Sequence, residues 1–505
     1  MFEIMSAGAV LAAEPTVFLV ILIGTVFGVI CGALPGIGAS MTLVLALPFS
    51  CRMEPVTALA FLVAVYCAAI AGGGITAVLF CIPGTPSSLP TTYDGFPMAQ
   101  RGETGKALGY ALFSSAIGGL IAAVAMAALT IPLTDLSNYF HLSEEFAVVL
   151  LGLVLLTCLD SGNTVRTVIS ALLGLLLACT GTDPILGVPR LATGFGPVQE
   201  GIDIVPVVIG LFIVPACLRD TRKPLIVDTR RSPFQIGHRN LSLPGFWELW
   251  AMKIAMLRSA VVGMVVGIVP GAGATIASFV SYAIEKRLSR QPELLGKGAP
   301  GGIVSAESAN NAAAGGSMVP LLAFGIPGGN AAAIIMIALG LRGIYIGPKL
   351  ITEQPEYLAG VFGSMLATNL IMVIVAIALA RLLARIRQIP YSVITPLTMM
   401  LAVLGTYALD ESTDDVALMI CAGIVGYFFM RLGYNSAALI LGVVLGRICE
   451  YDLRTAYHLA DGNLVAVFTR PVTAVLLMIS ALVFVLSLLY PWYKKRKIRK
   501  SLPDL

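Results

Sequence analysis

The chain has 505 residues, 57% of them hydrophobic and 12% charged, with a formal net charge of +4 and a mean hydropathy of +0.91. Those values exclude a soluble globular domain, and the lack of short segments of alternating polarity excludes a transmembrane barrel. So small a net charge carries no nucleic-acid reading, because in such a chain the position of each Lys and Arg matters more than their sum.

Apolar blocks long enough to cross a bilayer follow one another along the chain, among them Thr16–Ala33, Ala107–Pro132, Leu358–Ala380 and Pro471–Tyr490. The expected fold is an all-α polytopic membrane protein of about 11–12 membrane segments plus hairpins. The opening MFEIMSAGAVLAAEP has no basic residue and carries Glu3 and Glu14, so it does not read as a signal peptide. Basic residues first appear at Arg52, which fits an N-terminus outside. The run KKRKIRK at Lys494–Lys500 places the C-terminus in the cytoplasm. Alternating sides between these ends makes Thr134–Glu145, Asp183–Asp203, Asp410–Asp415 and Cys449–Arg470 external. Residues 87–106, Asp160–Arg166, Arg219–Arg258 and Arg381–Gln388 become internal.

In chain order the first interruption is GALPGIGAS, residues 32–40, inside a stretch that otherwise reads as one membrane helix. It returns as GIVPGAGAT, residues 267–275, with Pro35 and Pro270 separated by 235 residues. A second break, CIPGTPSSLPTT (Cys81–Thr92), returns as GIPGGNAA (Gly325–Ala332), and Leu159-Asp160 resembles Leu409-Asp410. The matches keep their order, while the charge pattern puts Asp160 inside and Asp410 outside. Two inverted-topology repeats with re-entrant hairpins or broken helices are therefore expected. They span 1–218 and 254–448, joined by a basic cytoplasmic connector, 219–253. Residues 449–505 hold an external segment, the last transmembrane helix and a basic cytoplasmic tail.

A helix opened in hydrocarbon is tolerated only where protein or a water-filled cavity satisfies its freed backbone groups. A half-helix starting just after Gly36 or Gly271 would aim its free N–H groups and positive dipole end at an anion. The candidate substrate or ion ligands at this first pair of breaks are Pro35, Gly36, Gly38, Ser40, Thr42, Gly271, Gly273 and Thr275. The second pair adds Gly84, Thr85, Ser87, Ser88, Gly328, Gly329 and Asn330. The competing reading is that these small residues merely allow close helix packing. The most informative polar run is SAESANNAAAGGSMVP, Ser305–Pro320. Its Glu307, Ser308, Asn310 and Asn311 are costly in a membrane unless they line a cavity or hold an ion. Amides suit Na⁺ or hydrogen bonds to a carboxylate, and Glu307 could carry H⁺. The first-half counterpart, Tyr66–Gly74, keeps glycines but no acid.

No other chemistry stands out. GETGK and GKG lack Walker spacing, the three histidines fall in separate loops, and no nucleophile or acid/base pair is visible. An enzyme, a cofactor and a resident metal are not expected, beyond a transient Na⁺.

ALPGIGA, the block GGGITAVLFCIPGTPSS…YDGFPMA at Gly72–Ala99 and the block at Gly267–Gly329 resemble the large permease subunit of the tripartite tricarboxylate transporter family, TctA. The resemblance covers nearly the whole chain. It implies a bacterial cytoplasmic (inner) membrane permease working with a small membrane subunit (TctB-like) and a periplasmic solute-binding protein (TctC-like). It also implies import of citrate or a related carboxylate, driven by a Na⁺ or H⁺ gradient. By analogy with related transporters, an elevator motion is expected. The rival expectation is a passive anion channel or a non-transporting membrane scaffold.

Overall fold

The computed structural model describes residues 2–34, 37–137, 140–159, 164–183, 188–191, 202–220, 242–344, 346–347, 350, 353–383 and 391–501. Nearly all of them are helical. Among the described residues the only strands are β1 (Gly181–Thr182) and β2 (Pro189–Arg190), paired antiparallel. Five described helices are long and apolar enough to cross a membrane, and seven shorter apolar helices accompany them.

The chain forms two compact units, Met1–Thr134 with Ala216–Glu411, and Asp135–Pro215 with Ser412–Leu505. Each draws on both halves of the sequence.

The first unit holds every candidate site residue. Its leading half comprises α1 (Phe2–Ala13), α2 (Pro15–Ala33), α3 (Ala39–Ser50), α4 (Pro55–Phe80), α5 (Leu89–Gln100) and α6 (Thr104–Ser137). A 3₁₀ turn, Pro86–Ser88, leads into α5. The helices α7 (Leu142–Leu159), α8 (Thr164–Ala178) and α9 (Ile204–Asp220) come next in the chain. The first unit then continues with α10 (Phe246–Ala251), α11 (Lys253–Ile268), α12 (Gly273–Leu288), α13 (Pro300–Phe324), α14 (Asn330–Gly340), α15 (Pro355–Leu383) and α16 (Tyr391–Asp410).

Local chemistry sets these boundaries. Pro15, Pro55 and Pro300 each open a helix, where the missing N–H would have had no partner anyway. α13 ends on Gly325 in the left-handed conformation, φ 70°, and α4 ends on Cys81 at φ 58°. A side chain at that φ costs about 1–2 kcal/mol, which glycine avoids.

The buried middles of α4 and α13 are packed by small residues. α2 lies so close to α4 that a Cβ on Gly28 or Gly32 would meet the carbonyl oxygen of Val65 or Ala69. α11 meets α13 in the same way, with Gly263 and Gly267 against the carbonyls of Ala309 and Ala313. Backbones approach this closely only where side chains are absent.

The second unit contains α7 and α8, together with α17 (Thr413–Leu432), α18 (Ser436–Leu459), α19 (Leu464–Phe468) and α20 (Pro471–Ser501). α7 packs on α18 and α20, and α8 packs on α18. The last contact is tight, since Gly174 and Gly442 face the carbonyls of Leu439 and Ala171. At one end Arg190 pairs with Glu450, and Arg454 bridges Asp183 and Glu450. These residues come from the two segments expected to be external.

Candidate functional site

The breaks between α2 and α3 and between α11 and α12 are built alike. Leu34 N–H donates to Cys31 O, and Val269 N–H donates to Val266 O, closing the last turn in each. The later breaks match more closely still. Gly84 N–H donates to Gly73 O at 3.2 Å, and Gly328 N–H donates to Ser317 O at 3.2 Å. Each returns the chain against the helix it has just left. A Cβ on Gly84 would lie 2.1 Å from Gly32 O, and one on Gly328 would lie 2.9 Å from Gly267 O. Side chains are therefore excluded at Gly84 and Gly328 by backbone, which cannot move aside as a flexible side chain could.

Four half-helices start at these breaks, and their N-termini converge. The N-cap of α3, Gly38, faces Pro86 of the turn before α5, at 3.7 Å for an added Cβ. At the other break pair, Gly271 N–H donates to Gly328 O at 3.0 Å, joining the starts of α12 and α14. α3 packs on α14, and Arg342 beyond the end of α14 donates to Ser50 O at the end of α3, so these two helices run in the same direction. α12 packs on the Pro86–Ser88 turn, and farther along it Tyr282 Oη donates to Asp94 Oδ2 at 2.8 Å, so α12 and α5 also run together. No side chain caps α3, α12 or α14, nor the 3₁₀ turn. Their first-turn N–H groups are thus left for another partner. At α5 the prolines Pro86 and Pro90 remove donors, and the hydroxyls of Thr85, Ser87 and Ser88 stand there instead. Thr85 Oγ1 lies 3.0 Å from Ser87 Oγ and 3.1 Å from Ser88 Oγ.

Beside this cluster sits Glu307, fully buried on α13. Thr91 Oγ1 donates to its Oε1 at 2.6 Å, Ser115 Oγ to its Oε2 at 3.0 Å and Asn310 Nδ2 to Oε2 at 3.1 Å. Ser88 adds a further hydrogen bond. Gly74 of α4 makes room, since a Cβ there would lie 2.7 Å from Oε1. The carboxyl is saturated by neutral donors from α5, α6 and α13. Asn311 Nδ2 in turn donates to Asn310 Oδ1 at 2.9 Å.

The remaining candidates are placed as follows. Ser40, Thr275 and Asn330 are half-buried in the first turns of α3, α12 and α14. Gly271 and Gly273 have φ of 85° and 61°, conformations that glycine supplies without strain. Gly329 is extended at φ −173°, with nothing within 4 Å of an added Cβ. Two hydroxyls expected at the site are committed elsewhere: Thr42 donates to Gly38 O inside its own helix, and Ser308 to Met256 O of α11. Pro35 and Gly36 lie outside the described residues.

The sequence reading missed three buried residues. Asp94 on α5, fully buried, accepts at 2.8 Å from the N–H groups of Gly296, Gly298 and Ala299 through Oδ1, besides Tyr282 through Oδ2. It thereby clamps the loop between α12 and α13. The signal was present as one carboxylate in the short segment LPTTYDGFP and a glycine-rich GKGAP with donors to offer. Ser115 and Asn369 carried no motif at all.

The sequence profile of the tripartite tricarboxylate transporter TctA family matches residues 18–441. The chain belongs to that family. It is similar to an uncharacterized 52.8 kDa protein in the TAR-I ttuC' 3'region of Agrobacterium vitis, at 34% identity over 97% of both chains. A second Agrobacterium vitis protein, from the TAR-II ttuC' 3'region, is 40% identical over 46% of this chain and 97% of its own length. No solved structure matches. Family membership makes this TctA protein a multi-pass membrane component of a tricarboxylate transporter; the family is one of transporter components, not of enzymes.

Proposed function

We propose that this TctA protein is the permease of a binding-protein-dependent secondary transporter in the bacterial inner membrane. It imports citrate or a related organic carboxylate with a Na⁺ or H⁺ gradient, alongside a TctB-like membrane subunit and a TctC-like binding protein. The observation that carries this reading is the convergence of four half-helix N-termini without side-chain caps. The starts of α3, α12 and α14 keep free first-turn N–H groups, each equivalent to roughly half an elementary positive charge, so these three sum to about one and a half. That magnitude suits an anion with two or three carboxylates, and the hydroxyls of Ser40, Thr85, Ser87 and Thr275 with the amide of Asn330 supply neutral donors around it. A fixed Lys or Arg would bind the anion more strongly, but it would also have to be desolvated in every conformation of the cycle.

The same reading takes the two halves as inverted repeats that move by an elevator-type alternating access. Its support is the recurrence of the Gly84 and Gly328 tip hydrogen bonds and of the glycine contacts between α2 and α4 and between α11 and α13. The test is uptake of labelled citrate into proteoliposomes holding the permease with both partners. Accumulation above equilibrium that collapses when the cation gradient is dissipated is expected. Simple equilibration would make the protein a passive channel instead.

A further inference from the structure

Near the middle of the first unit α6, α13 and α15 meet over small residues. Gly118 of α6 lies on Ser308 of α13, Gly119 lies on Asn369 of α15, and an added Cβ on Gly315 of α13 would touch both Ala122 and Met365. Two buried amides stand on the helices of this junction. Asn311 shares the α6-facing side of α13 with Ser308 and Gly315, being three and four residues from them. Asn369 Oδ1 would lie 2.0 Å from a Cβ on Gly119.

The hydrogen-bond directions decide what these amides can hold. Glu307 accepts from Asn310 Nδ2, so Asn310 turns its oxygen toward Asn311 and receives Asn311 Nδ2 at 2.9 Å. The same Nδ2 reaches Glu307 O at 3.4 Å. Asn369 Nδ2 donates to Met365 O at 2.7 Å. The amide nitrogens of Asn311 and Asn369 are thus engaged within the protein, and Asn311 Oδ1 and Asn369 Oδ1 are each buried with no donor. Leaving a buried acceptor unmet costs about 1–3 kcal/mol, and here two such oxygens belong to helices that meet at one junction. Bare oxygens repel a carboxylate and attract a cation. Neutral amides take no proton at neutral pH, and a divalent ion would require carboxylate ligands directly. The carboxylate beside them on α13, Glu307, is already filled by hydroxyl and amide donors.

We propose that Asn311 Oδ1 and Asn369 Oδ1 ligate a Na⁺ ion at the α6–α13–α15 junction. Glu307 acts as a positioning residue that fixes the polarity of the amide relay and lends negative field. Asn311 stands six residues before Ser317, whose carbonyl holds the Gly328 tip, a distance of about 9 Å along α13. Ion occupancy and tip geometry are thereby joined through one rigid helix. The proposal deepens the importer reading and rests on it, by choosing Na⁺ over H⁺ and adding Asn369 to the site.

The test uses the purified full chain without any carboxylate, in buffer where choline replaces Na⁺ at constant ionic strength. A saturable rise in melting temperature with Na⁺, absent with K⁺, is expected. Asn311→Ala and Asn369→Ala should each raise the half-saturating Na⁺ at least about tenfold, a change of about 1.4 kcal/mol. Asn369→Asp, which keeps an oxygen in place, should retain the response. Gly119→Ala leaves both amides intact but drives a methyl group into Asn369 Oδ1, and should weaken the response if the alanine variants fail to fold. No Na⁺ response in the wild type, or an unchanged response in the Asn or Gly119 variants, would overturn the site. A Na⁺ response in a protein that moves no carboxylate would end the importer reading and leave the cation site standing.

Discussion

Gly328 and Gly329 are neighbours in one tip, yet alanine should destabilise at the first and be nearly neutral at the second. A Cβ at Gly328 would lie 2.6 Å from Ser317 Cα, 2.8 Å from Ser317 O and 2.9 Å from Gly267 O. All three are backbone atoms of packed helices, so relief requires α13 or α11 to shift. Overpacking of this kind costs about 1–3 kcal/mol, and the upper part of that range applies where no rotamer can yield. At Gly329 an added Cβ meets nothing within 4 Å, and φ is an ordinary extended −173°. Alanine there should change stability by less than about 0.5 kcal/mol. Melting of the two purified variants by size-exclusion fluorescence separates the cases. A large drop is expected for Gly328→Ala and almost none for Gly329→Ala; equal behaviour of the pair would refute the tip packing.

Cys81→Gly should raise the melting temperature, because it relieves about 1 kcal/mol of left-handed strain at φ 58°; a drop would show that the Cys81 side chain contributes more than its strain costs. Asp94→Ala removes the acceptor for three loop N–H groups and the Tyr282 hydroxyl, costing about 2–4 kcal/mol after partial resolvation. Faster tryptic cleavage at Lys297 is the readout, and unchanged cleavage would discount the clamp. In the second unit, the Arg190 hydrogen bond holds the Glu450 carboxyl below its usual range against the opposing effect of burial, with Arg454 assisting. Because the folded value lies below the unfolded value of about 4.3, the ionised group adds stability at neutral pH that is lost as pH falls through the folded value. Acidification should therefore lower the melting temperature more in the wild type than in Glu450→Gln.

The interrupted helices were legible because Gly and Pro at mid-helix act locally. α12 starts at Gly273 and α3 at Ala39, within a few residues of Gly271 and Gly36. The second pair of breaks was legible from the repeated IPG peptide alone. The clamp on Asp94 was not, since its partners lie about two hundred residues away and nothing periodic links LPTTYDGFP to GKGAP. Asn369 was missed for a similar reason: one amide in an apolar helix gives no pattern, and its meaning comes from Gly119 opposite. The polarity of Asn310 and Asn311 also needed coordinates, because sequence cannot tell which end of an amide a neighbouring carboxylate will take. Nor does either half of the sequence reveal that both compact units draw on it.

The most direct measurement is the structure of the permease with citrate bound. Citrate carboxylates within hydrogen-bond reach of the first turns of α3, α12 and α14 and of the Thr85–Ser87 hydroxyls are the expected result. Citrate held away from those four helix starts would contradict it.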